Sequence, residues 1–219
     1  MASDIDICNL ALLRLGTRSS ISALTEGSTE ANACALAYPI VRDTLLAQHR
    51  WSFATRRVAL ADLGNPPDNW AFRYAYPPDC LHARALHPPA PPQPTGGPPA
   101  VDATSLPFEV SADCDASGNP IRIVLADQPG AELVYTARIT TAAQFDAGFV
   151  EALSWTLAAE LAITLTGDKI IAQYCLQTAA AAVAGAKAND ANESPFVDDR
   201  PAEWIAAYRI FRRPTWPNR

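Results

Sequence analysis

Charge is scarce in this sequence. Only 18% of its 219 residues are Asp, Glu, Lys or Arg and 49% are hydrophobic, a balance that argues against disorder over most of the length and supplies a sizeable core. Histidine is limited to His49, His82 and His87, and no two of them have the helical spacing of an HExxH zinc pair. The five cysteines, Cys8, Cys34, Cys80, Cys114 and Cys175, are odd in number, scattered and without a CxxC pair. They indicate neither a disulfide framework nor a zinc site, and read as small buried apolar residues. A phosphate-binding loop, a Rossmann glycine fingerprint and a GxSxG elbow are all missing. No run approaches the length of a membrane-spanning helix, and the start MASDIDIC lacks the basic and apolar regions of a signal peptide, so the chain is expected in the cytoplasm where it is made.

The nearest approaches to chemistry are two acidic pairs. Asp113 and Asp115 precede Gly118-Asn119, but the glutamate that would close an oxygen-rich cation loop is missing and a tight turn accounts for them. Glu151 and Glu160 fall on similar faces of one helix without a second catalytic group. His49, at the end of an arginine-rich helix, is expected as an interface or capping group, while His82 and His87 flank strand and loop. No enzyme, cofactor or metal is expected.

What is present begins with helices. Ser3 or Asp4 caps a first helix with Ile7, Leu10, Ala11 and Leu15 on its apolar face, and Gly16 ends it. After a loop over residues 17–27, Ser28 caps a second helix whose stripe is Cys34, Tyr38, Val41 and Leu45. Pro39 removes the bond to the Ala35 carbonyl and should bend this helix without ending it before about His49. Trp51 and Phe53 then need burial, inside this subunit or against another. With the charges around them, Arg50, Trp51, Arg56 and Arg57 are the candidate subunit contacts. The turn Gly64-Asn65-Pro66-Pro67 closes an N-terminal helical part, residues 1–68.

From Trp70 the period changes to two, with Phe72, Tyr74 and Tyr76 on the expected buried face. Residues 88–99 hold seven prolines and two glycines and read as an exposed extended loop inserted between strands. Strands are expected again at 108–112, 121–125 and 133–139, punctuated by Gly118-Asn119-Pro120 and Gln128-Pro129-Gly130. Residues 69–140 are thus an inserted β unit. Helices resume near Gln144, with Phe149, Leu153, Thr156, Leu157 and Glu160 on one side, Leu161 and Thr164 extending it, and Gly167 as the stop. Asp168 caps a last helix to about Ala188, whose small stretch TAAAAVAG at 178–185 predicts tight helix packing, within or between subunits. Residues 141–189 complete an α+β fold, in which N- and C-terminal helices form a bundle around an inserted small antiparallel β unit.

The remainder, residues 190–219, reads as an extended C-terminal tail. In it Trp204, Tyr208, Phe211 and Trp216 interleave with Arg200, Arg209, Arg212, Arg213 and Arg219. Formal charge runs from +1 over residues 1–57 to −11 over 58–199 and +4 over 200–219. Arginine and aromatics together are typical of protein interface hot spots and also of single-strand nucleic-acid binding. Because the chain as a whole is acidic, partner docking comes first, packing onto the chain's own core second, and nucleic acid third.

Several segments occur in an informative order: ICNLALLRLG at 7–16, Arg42-Asp43 before WSFA at 51–54, YAYPPDCL at 74–81, and YTARIT at 135–140 with Phe145-Asp146 and a helix after it. In this order they resemble phage head-to-tail adaptor proteins, the family that includes tail tubular protein A of short-tailed phages. The resemblance implies a non-enzymatic virion protein, made in the host cytoplasm and placed at the neck. Copies would form a dodecameric ring between the portal protein and a downstream tail or nozzle protein. DNA would leave through the ring without sequence-specific binding, and no membrane would be involved. It further implies that the C-terminal segment, with Trp204, Tyr208, Arg209, Phe211, Arg212, Arg213, Trp216 and Arg219, docks on the portal. The alternative from another class is a DNA-binding or DNA-processing factor that uses the same basic aromatic tail.

Overall fold

A computed structural model describes residues 2–89, 105–115 and 117–193. The first helix, α1 (Asp4–Arg14), starts in a reciprocal cap. The Ser3 hydroxyl accepts the Asp6 amide at 3.1 Å and the Asp6 carboxylate accepts the Ser3 amide at 2.9 Å. Gly16, at φ 74°, turns the chain out of the helix. In α2 (Thr29–Gln48) the Ser28 hydroxyl accepts the Ala31 amide at 3.2 Å, and the helix continues through Pro39. Its expected stripe of Cys34, Tyr38, Val41 and Leu45 is buried.

One element departs from expectation. Residues 55–59, placed by sequence in the N-terminal helical part, form the strand β1 (Thr55–Ala59) after a short 3-10 turn at Ser52–Ala54. The β unit therefore starts well before residue 69. Four of these five side chains are exposed, so the strand is specified by its backbone ladder and not by an apolar alternation.

The remaining strands are β2 (Phe72–Ala75), β3 (Cys80–His87), β4 (Glu109–Cys114), β5 (Pro120–Ala126) and β6 (Glu132–Ala137). They make two antiparallel three-stranded sheets, ordered β1-β6-β3 and β2-β5-β4. Asp115 organises the β4–β5 turn by accepting the Ser117 and Asn119 amides at 2.8 and 2.9 Å, so this acid is used as turn chemistry. Its partner Asp113 pairs with Arg73 at 2.7 Å. The proline-rich stretch beyond Pro89 and the tail from residue 194 lie outside the described residues.

Helices α3 (Ala147–Thr166) and α4 (Lys169–Glu193) close the fold. Gly167, in the left-handed region at φ 66°, donates its amide to the Ile163 carbonyl and stops α3, and the Asp168 carboxylate accepts the Ile170 amide at 2.7 Å to start α4. α4 runs on to Glu193, so residues 190–193 belong to the helix and not to a tail. Phe149, Leu153, Leu157 and Leu161 of α3 are buried. Thr156 and Glu160, expected beside them, instead face a groove against α2, because they lie round the helix from the Leu153–Leu157 edge. α3 is long and apolar enough by length and composition to cross a membrane, contrary to the expectation that no run qualifies. Here it is the helix on which α1, α2 and α4 pack.

The small residues of α4 work in both directions. Gly148 of α3 lies so near that a Cβ there would stand 3.5 Å from the Ala186 backbone, and Cys175, Ala179 and Ala186 are buried along the same seam. Ala180, Ala181 and Ala184 point outward.

Candidate assembly surface

The segments that stand out in the sequence meet in space. Arg42 and Asp43 sit side by side on α2, and the Asp43 carboxylate accepts Arg42 at 2.8 Å through one oxygen and Arg138, just after β6, at 2.8 Å through the other. Asp79, at the head of β3, accepts the Tyr135 hydroxyl at 3.0 Å and the Arg56 guanidinium at 2.9 Å, and its carbonyl takes the Arg138 amide at 2.7 Å. Burial, together with this bond to the Asp79 carboxylate, raises the Tyr135 hydroxyl above the ordinary tyrosine range. Pieces from residues 42–43, 56, 79 and 135–138 are thereby fastened into one framework.

Trp51 belongs to that framework from inside. It is 1% exposed, donates its indole N–H to the Leu45 carbonyl at 3.0 Å and meets the Phe149 ring edge-on at 5.0 Å, with Phe53 and Phe145 completing the cluster. It is therefore not available as a subunit contact, and this expectation is corrected: α3 supplies the burial that the sequence left unassigned. Arg50 is exposed. Arg56 and Arg57, exposed on opposite faces of β1, pair with Asp79 at 2.9 Å and with Glu132 at 2.5 Å respectively. Both pairs are partly exposed, so each is worth little to stability and can be exchanged for a partner's acid at small cost.

His49 is drawn into a further contact. Its Nε2 lies 2.9 Å from the Asp190 carboxylate, whose other oxygen accepts the Ser52 amide at 2.8 Å. Two arginines that the sequence did not single out are structural. Arg14 reaches Glu151 at 2.7 Å and Ser154 at 2.5 Å with its guanidinium 4.2 Å over the Trp155 ring, and Arg84 donates to the Ala47 and His49 carbonyls at 2.7 and 2.8 Å, closing the end of α2. Nothing in local spacing marks either, since their acceptors are remote in sequence and in part backbone.

Three of the four buried cysteines have raised thiols, and the fourth, Cys34, is drawn down by its hydrogen bond with Cys8. Hydrogen bonding to Cys34 and burial push the Cys8 thiol far up, and burial pushes Cys80 and Cys175 up. No three His, Cys, Asp or Glu side chains among the described residues come together as a metal site. The portal-docking candidates Trp204, Tyr208, Arg209, Phe211, Arg212, Arg213, Trp216 and Arg219 lie outside the described residues.

The outer helical surface is its own feature. α2 has no charged residue between Glu30 and Arg42, and α4 has none between Lys169 and Lys187. Large apolar side chains nevertheless stand exposed there, including Leu36, Ile40, Ile163, Ile170, Tyr174 and Leu176. Between α2 and α3 runs a groove of about 400 Å³ bordered by Leu36, Ile40, Thr44, Thr156, Glu160 and Thr164. Such a surface suits lasting contact with protein better than contact with water. In comparisons with known proteins, no protein-family model and no curated protein matches this chain.

Proposed function

We propose that this chain is a head-to-tail adaptor subunit of a phage virion, with copies arranged as a dodecameric ring that docks on the portal and joins it to the next tail component. The observation that carries this reading is the meeting of the adaptor-like segments at Asp43 and Asp79, which brings together pieces otherwise scattered over the chain. The charge-poor outer faces of α2 and α4 support assembly into a larger body.

The mechanism is recognition and not reaction. A ring repeats each modest contact, so many weak interfaces sum to a stable body through avidity. The tail residues Trp204 to Trp216 supply the anchor types of a hot spot, aromatic and arginine, for the portal. Acidic residues of the central region, where the formal charge is −11, would repel phosphates wherever they line the channel and let DNA slide instead of stick. The subunit acts at the virion neck after synthesis in the host cytoplasm.

Deletion of residues 200–219 tests the docking part. The shortened chain should keep its helical circular dichroism and lose binding to purified portal rings. Retained portal binding overturns the role of the tail. A salt-dependent shift of duplex DNA that disappears with the same deletion, without portal binding by the full chain, supports the DNA-binding alternative instead.

A further inference from the structure

We propose that the α2–α3 groove is filled by the α4 ridge of a second copy of this chain. This rests on the ring reading above and gives it a specific interface. Leu36 and Ile40, 72% and 62% exposed, form the α2 wall of the groove, and Ile170 and Tyr174, 78% and 60% exposed, form the ridge. Both are apolar surfaces set in uncharged stretches of helix; at the start of the ridge the Asp168 carboxylate is engaged by the Ile170 amide at 2.7 Å beside Lys169, and at one end of the groove Lys187 lies 3.5 Å from Gln48. Glu160 borders the groove and Lys169 precedes Ile170, and neither makes an ion pair among the described residues. A chain that carries a groove with an acid and a ridge with a base presents both halves of one contact.

Geometry sets the kind of contact. The Tyr174 ring lies against Trp155 at 6.1 Å, whereas the groove takes up Thr156, the next residue of α3 and about 100° further round the helix. Groove and ridge therefore look in different directions, and a subunit cannot satisfy its own groove with its own ridge. In the ring reading each copy gives its ridge to one neighbour and its groove to another. That is a heterologous contact, the type that generates rings when the rotation closes.

Cysteine pairing reads this out in the full-length protein, with exposed Cys114→Ser as background. Equal parts of Ile40→Cys chains and Tyr174→Cys chains, oxidised alone and in the presence of portal rings, should yield the mixed disulfide dimer in clear excess over either like pair. Glu160→Lys should weaken that pairing, and Lys169→Glu in the other chain should restore it. Both cysteine sites are exposed, and circular dichroism checks that each variant folds. Equal pairing of like chains, or none in any condition, overturns the proposed interface. If rings still form on the portal without the mixed disulfide, the interface fails and the adaptor reading stands. If neither rings nor disulfide form, both fail.

Discussion

The Asp190 carboxylate holds the Ser52 amide at 2.8 Å, although 138 residues separate them. It is 6% exposed and shares its second oxygen with His49. This one side chain of α4 fixes the bend where α2 passes through Trp51 into β1. The start of β1 and the C-terminal end of α4 are thus tied together through a buried acceptor.

Asp190→Ala leaves the Ser52 amide without this partner and should lower unfolding stability by about 1–3 kcal/mol. Asp190→Asn can still accept from Ser52 and should cost less. Urea unfolding of both variants checks the order, and an equal loss would contradict the assigned role.

Arg56→Ala and Arg57→Ala each remove a partly exposed ion pair and should change stability by under about 1 kcal/mol. Their double charge reversal should impair ring formation on the portal while the free chain stays folded. Thermal unfolding and sedimentation measure the two effects separately, and assembly that is unchanged would remove these arginines from the interface.

Asp146 precedes α3 without using its side chain as a cap, and burial, followed by repulsion from Glu193 and Asp190, raises its carboxyl above the ordinary value of 3.8. A carboxyl whose folded value is raised binds its proton more tightly folded than unfolded, so its charge opposes folding at neutral pH. The penalty fades as pH falls through the raised folded value and is gone below the ordinary one. Asp146→Asn should therefore raise the melting temperature at neutral pH and give no advantage below the ordinary carboxyl range. A constant difference across this range would contradict the assignment.

Much of this fold was legible because its signals are local. Ser3, Ser28 and Asp168 cap their helices as their spacing predicts, Gly16 and Gly167 end theirs, and the aromatic alternation from Phe72 and the segments between the Gly-Pro turns are strands. β1 was not legible, since Arg56, Arg57, Val58 and Ala59 lie on an exposed ladder where pairing with β6 decides the structure. Trp51 showed only that it required burial. Whether α3 of the same chain or another copy supplies it is a long-range fact, as are the acceptors of Arg14 and Arg84. The positions of Thr156 and Glu160 were not legible because α3 is apolar nearly all round, so its pattern does not single out one face.

The most direct measurement is electron microscopy of the full-length chain mixed with purified portal rings. The account predicts a twelve-copy ring seated coaxially on the portal, absent when residues 200–219 are deleted. Portal rings that remain bare in the presence of excess full-length chain would contradict it.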